Sequence, residues 1–208
     1  MVSFEINPRR TAALCIDLQN CFVENSPIAA PDGLAVVANL NRLAGECRKA
    51  GGTIVWTRHV VRPDHSNLGI LGRTVPPVHA GVIDDGSDGA ALHRAVQVEP
   101  GDIILAKPQF GAFQFTELES ILRARNIDTV IIGGIATNFC CETTAREAHG
   151  REFNVVFLSD GTATFDLPSV EGALIHRNDV QKSTLATLAF GFAEVIATDV
   201  AIAKLRAS

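Results

Sequence analysis

No stretch of this sequence approaches the ~20 consecutive apolar residues that a membrane-spanning helix needs. The opening Met-Val-Ser-Phe-Glu-Ile-Asn-Pro carries no signal-peptide pattern. No basic patch is present, and the net charge is −5. Neither a membrane nor a nucleic acid is therefore an expected partner. Cysteine is limited to five residues, an odd number. Without an export signal, that fits a reduced cytoplasm better than a disulfide framework. There is no internal repeat and no low-complexity segment. Gly133-Gly134 does not extend to G-x-G-x-x-G, which argues against a glycine-rich nucleotide site. No cofactor is expected.

What the sequence does contain is alternation. Short apolar or β-branched runs predict strands at 11–17, 53–58, 102–106, 129–134, 154–159 and 193–197. Helical patterns fall at 33–50, 116–125, 139–150 and 169–189. In the first, Val37, Leu40, Leu43, Ala44 and Cys47 share a face, and Gly51-Gly52 ends it. The second opens with Thr116-Glu117-Leu118-Glu119, which reads as a capping box. With 208 residues, the chain is long enough for one α/β domain spanning 1–208. The expected architecture is a doubly wound, six-stranded, mostly parallel sheet with helices on both faces.

Three strands end in chemistry. Ala13-Leu14-Cys15-Ile16 runs into Asp17, followed by Gln19, Asn20 and Phe22. Asp102–Ala106 runs into Lys107, followed by Gln109, Phe110 and Phe113. Thr129–Gly133 runs into Gly134–Ala148, where Cys140 falls on the first turn of a helix. In a parallel sheet these ends share one edge, the edge at which open α/β sheets hold their sites. A carboxylate, an ammonium and a thiol would then meet in one cleft. A helix N-terminus also favours the thiolate. The plainer alternative makes Cys140 and Cys141 small core residues.

These segments resemble the isochorismatase-like cysteine hydrolases. The family's D-x-Q-N-x-F is similar to Asp17–Phe22, and its K-x-x-[FY]-x-A-F to Lys107–Phe113. Its G-x-x-T-[DN]-x-C-x-x-x-T-A-x-x-A is similar to Gly134–Ala148. The motifs occur in the family's order and span nearly the whole chain. The resemblance implies an Asp17–Lys107–Cys140 triad and a cis peptide between Ile135 and Ala136. That bond would turn the Ala136 N–H toward a substrate oxygen beside the Cys140 N–H, forming an oxyanion hole.

The chemistry expected is hydrolysis of a C–N bond in a small amide or ureido compound through a thioester. Asp17 would shuttle the proton, and Lys107 would favour the thiolate. One base serves both half-reactions, so none of the six histidines is required. Cys140 is taken as nucleophile. Cys141, sharing a helix face with Ala145 and Ala148, is taken as core. A vicinal redox pair is the rival reading, and a non-catalytic module or an isochorismatase-type vinyl-ether hydrolase the rival function.

No metal is expected. Metal-dependent nicotinamidases of this family carry D-x-H after the second strand, and here that stretch reads Thr57-Arg58-His59. The departure speaks against a nicotinamidase, and Thr57–Asp64 resembles more closely the ureidoacrylate and biuret hydrolase branch. Phe22 and Phe113 would wall the pocket. Asn20 and Gln109 either bind a substrate amide or cap loops. Arg58 or Arg62 would pair with a substrate carboxylate, or lie solvated on a loop. Residues 60–89 hold three prolines and little periodicity, so they form either a pocket wall or an interface. Their apolar residues, Ile70, Leu71, Val75, Val78, Val82 and Ile83, together with the resemblance, point to a homo-oligomer, dimer or tetramer.

Overall fold

The structure, a computed structural model, describes residues 2–207. Six parallel strands make the main sheet, in the order β3-β2-β1-β4-β5-β8. They are β1 (Thr11–Ile16), β2 (Thr53–His59), β3 (Ile103–Lys107), β4 (Thr129–Ile135), β5 (Asn154–Ala163) and β8 (Glu194–Ile196). All six residues of β1 are buried, as an apolar strand covered on both faces must be. The chain winds outward from β1 to β3, then returns to start β4 on the other side of β1. The winding therefore reverses between β1 and β4, where such sheets open a crevice at their C-terminal ends.

Alternation along β1 builds two cores. Ala13 and Cys15 face α2 (Gly33–Lys49) and α8 (Thr198–Arg206), packing with Leu40, Leu43, Cys47, Ala201 and Leu205. Ala12, Leu14 and Ile16 face the opposite layer of α5 (Leu118–Ala124), α6 (Glu142–His149) and α7 (Arg177–Gly191). Each fully buried Leu or Ile contributes roughly 1.5–3 kcal/mol, so both layers anchor the sheet strongly. Among the described residues, no helix is long and apolar enough to cross a membrane.

Several local expectations change. The capping box at Thr116 does not form. Its hydroxyl accepts from the Leu118 N–H at 3.2 Å and donates to the Ala112 carbonyl at 2.6 Å, so it makes a local turn and the helix starts later. The helix expected over 169–189 begins only at Arg177. Before it, β6 (Leu167–Pro168) and β7 (Leu174–Ile175) form a hairpin. Gly172, at φ +85, turns its tip. His176 then caps α7, its ring nitrogen accepting from the Asn178 N–H at 3.2 Å.

Residues 60–89 hold two short helical turns, α3 (Leu71–Thr74) and α4 (Pro76–His79). Val61, Leu68, Leu71, Val78 and Ile83 bury one another there, together with Cys21 from α1 (Asn20–Val23). Most of the apolar residues read as an interface signal are thus a satellite core of this chain. Ile70 alone of the six is strongly exposed.

Candidate active site

Asp17 leaves β1 with φ +52, a left-handed conformation that Asp tolerates better than most residues. On the neighbouring strand, Gly134 has φ +139, and a Cβ there would sit 2.0 Å from the Ile16 carbonyl oxygen. Only glycine lets β4 pass this close to β1. The Ile135–Ala136 peptide is cis. A single π-turn, Thr137–Cys141, follows and leads into α6. The Cys141 N–H reaches the Ala136 carbonyl at 3.2 Å. This turn places Cys140, 3 % exposed, at the crevice between the two strand ends.

Asp17 is fully buried and held from two sides. The Thr57 hydroxyl donates to its Oδ1 at 2.5 Å, and the Asp17 N–H donates to the same hydroxyl at 3.0 Å. Lys107 Nζ stands 2.7 Å from Oδ2 as a buried counter-ion. The ammonium also donates to the carbonyls of Gln109 and Phe110, at 2.8 and 2.9 Å. Burial alone would push this ammonium down. The Asp17 carboxylate and the neighbouring Cys140 together outweigh it and raise Lys107 above the ordinary lysine value.

Around the thiol the sequence-based triad needs correction. The groups gathered there are Asp17, His59 and Cys140, with functional atoms all within 4.8 Å of one another. His59 Nδ1 lies 4.0 Å from Cys140 Sγ. Lys107 is the ion-pair partner of Asp17, and its ammonium also acts on the thiol, pulling against burial. His59 is the last residue of β2, paired with Lys107 across the β2–β3 register. Gln19 clamps its backbone, accepting from the His59 N–H at 2.6 Å and donating to its carbonyl at 3.0 Å. Burial, with the Lys107 charge adding to it, pushes the imidazole down to about 3, so it is neutral at physiological pH. Its Nε2 is buried with no hydrogen-bond partner.

The thiol is also not the exposed, thiolate-favouring group read from the helix N-terminus. Burial pushes Cys140 up, Lys107 pulls against it, and Asp17 raises it further. In the free site the proton stays on sulfur. Cys141 is fully buried with Ala145 and Ala148 in the helical layer. All five cysteines are free.

Helix α6 ties the thiol to the Lys107 loop. The Thr144 hydroxyl donates to the Cys140 carbonyl at 2.7 Å and accepts from the Ala112 N–H at 3.1 Å. Glu147 accepts from the Phe113 N–H at 3.0 Å.

Cys140 opens on a cavity of about 240 Å³. Phe22, Ile28, Val75, Pro76, Val78, Phe110, Phe139 and Phe165 line it, with Ala136, Thr74 and His59. Phe139 stacks on Phe165 at 5.8 Å between centroids, and Phe110 lies 5.6 Å from Phe139. Of the residues expected to bind substrate, Phe22 lines this cavity. The other four lie elsewhere. Asn20 donates to the Asp88 carbonyl at 2.8 Å on a separate hollow. Arg58 points to the opposite face of β2 from Thr57 and His59, toward Asp85 at 3.4 Å. Gln109 offers its backbone carbonyl to Lys107. Phe113 packs in the core against Phe153, with the Arg151 guanidinium 5.0 Å over its ring. Arg62 lines a different hollow.

The spacing of Asp17, His59 and Cys140 could accommodate a metal ion, and thiolate, imidazole and carboxylate are zinc-type donors. The buried Lys107 ammonium 2.7 Å from Asp17 argues against it, because a divalent ion bound to that carboxylate would be repelled by the neighbouring positive charge. The cluster is better matched to acid–base and nucleophilic chemistry on its own residues.

Residues 11–199 match the isochorismatase domain. The chain belongs to the isochorismatase family. Ureidoacrylate amidohydrolase RutB of Methylorubrum extorquens is 33 % identical over 184 residues, 79 % of this chain and 74 % of that protein. Nicotinamidase 3 of Arabidopsis thaliana is 34 % identical over 206 residues, 97 % of this chain and 90 % of that one. Identity therefore does not favour the ureidoacrylate branch over the nicotinamidases, as the missing D-x-H had suggested. A cysteine hydrolase structure from Pseudomonas syringae pv. phaseolicola superposes with a TM-score of 0.95 at 33 % identity, covering 99 % of this chain and 97 % of the other.

Within this isochorismatase fold, sequence reasoning missed Thr57, His59, Phe139 and Phe165 as site residues. For the first two a signal existed. Thr57 and His59 are two apart at the end of a strand, so they share one face.

Proposed function

We propose that this chain is a cysteine-dependent hydrolase that cleaves the C–N bond of a small amide or ureido compound. The observation that carries the reading is the convergence of Asp17, His59 and Cys140 within 4.8 Å beside a partly open cavity that His59 and Cys140 line. With its imidazole pushed down to about 3, His59 is too weak a base for the thiol. The proton goes to the Asp17 carboxylate. The thiolate attacks the substrate carbonyl, forming a C–S bond, while the N–H groups of Ala136 and Cys140 take up the oxyanion. Collapse breaks the C–N bond as Asp17 protonates the leaving nitrogen. Water then gives a proton to Asp17 and attacks the thioester, the C–S bond breaks, and the thiol regains its proton.

In this reading Thr57 and Lys107 position the carboxylate, and neutral His59 orients the thiol or the substrate. We also read residues 1–208 as one isochorismatase-like domain that works in the cytoplasm, a setting that suits five free thiols. Exposed Val170, Leu174 and Phe190 favour assembly into a dimer or tetramer.

Ammonia release from amides and ureido compounds tests the reaction. Cys140→Ala should reduce it at least about 10⁴-fold, whereas Cys141→Ala should keep most of it. A thioester on Cys140 should be trapped by mass spectrometry. Normal turnover by Cys140→Ala, or cleavage of isochorismate with no ammonia from any amide, would replace the amidohydrolase reading.

A further inference from the structure

The cavity in front of Cys140 can be read for charge as well as for shape. No lysine or arginine lines it. Lys107 is the nearest cation, but an ammonium has three N–H donors, and Asp17 Oδ2, the carbonyls of Gln109 and Phe110 and the Cys140 sulfur already surround it. His59 is neutral there. Arg58 leans on Asp85, on the far face of its strand. Four phenylalanines are among its lining residues, and the thiol sits beside the Asp17 carboxylate.

Resting on the hydrolase reading above, we infer that this site takes an uncharged amide or urea carried on an apolar, flat or branched body, and refuses a substrate that bears a carboxylate. An anion entering this cavity would lose its water and find no cationic partner on its wall. Buried charge without a partner is among the most costly arrangements in a protein. A neutral amide meets the opposite situation. Its carbonyl end lies over Cys140. His59 lines the cavity beside Cys140, and its Nε2 is buried without a hydrogen-bond partner. The amide's apolar body replaces water against Phe22, Phe110, Phe139 and Phe165. A pyridine or other ring nitrogen gains little here, so a carbocyclic ring should serve at least as well. The lining residues Ile28, Thr74, Val75, Pro76 and Val78 come from outside the three catalytic segments, so they set this selectivity without taking part in the chemistry.

Two matched ligand pairs test this: benzamide against 4-carbamoylbenzoate, and butylurea against 3-ureidopropionate. Dissociation constants are measured by calorimetry on the full-length Cys140→Ala protein, which separates fit from reaction. Ammonia release by the unaltered enzyme is measured in parallel. The neutral member should bind at least about 100-fold more tightly in both pairs. Equal or tighter binding of the charged member in either pair overturns the inference, as does failure of both neutral ligands to bind at millimolar concentration. Neutral selectivity without ammonia from any of the four compounds upholds the charge preference of the cavity and removes the hydrolase reading instead.

Discussion

Thr57 and Asp17 hold each other in both directions. One hydroxyl donates to the carboxylate Oδ1 at 2.5 Å and accepts from the backbone N–H of the same aspartate at 3.0 Å. The contact fixes both the side chain and the left-handed backbone of the residue proposed to move the proton. Thr57→Val keeps the shape and removes both bonds. It should lower kcat about 100-fold, the cost of a displacement on the order of 1 Å at a reacting group. It should destabilise the fold by about 1–3 kcal/mol through two unmet buried polar groups. Thr57→Ser should restore most of the rate. Steady-state kinetics and urea melts on the pair decide it, and an unchanged kcat in Thr57→Val removes Thr57 from the site.

His59 makes stability depend on pH with a defined sign. Its folded value is pushed from 6.5 down to about 3, chiefly by burial. Between those values the unfolded chain binds a proton that the folded chain does not. Stability is therefore complete above about pH 6.5 and falls as the pH is lowered toward 3. The slope is about 1.4 kcal/mol per pH unit from this group. His59→Asn should flatten the profile across that window. Parallel urea-melt profiles of the two proteins at pH 4–7 would show the slope to lie elsewhere.

Lys107 and Asp17 form a pair with no exposure on either side chain. Removing one partner leaves the other charged and alone. Lys107→Met should therefore cost about 3–5 kcal/mol. Adding Asp17→Asn should recover part of that loss, because the orphaned charge goes with it. Chemical denaturation of the single and double variants measures the interaction directly. Two costs that simply add would mean that the pair carries no interaction energy.

Much of this site was legible in the sequence because buried parallel strands are apolar. A lone polar residue ending such a run, as Asp17 and Lys107 do, marks the functional edge. The long motif through Cys140 marks it again. The rest depended on details that composition does not carry. β2 runs one residue beyond its apolar stretch because His59 pairs with Lys107 in register. Residue 59 thereby enters the site, while Arg58, its neighbour in sequence, is turned to the other face. Phe113 lies within a motif and was assigned to the pocket, yet the loop carries it into the core beside Phe153. The thiol's protonation was misread because helix position was visible in the sequence and depth of burial was not.

The satellite core of Val61, Leu68, Leu71, Val78 and Ile83 stands apart from the two cores that flank the sheet. The reacting groups belong to the sheet and its helices. Part of the wall facing the substrate, Val75 and Val78, belongs to the satellite unit. Mutations that reshape this wall mostly disturb a small local packing unit and spare the scaffold beneath the thiol. Such a division makes the molecule evolvable: a lineage could exchange one substrate for another by rewriting a short excursion of chain while inheriting the same reaction.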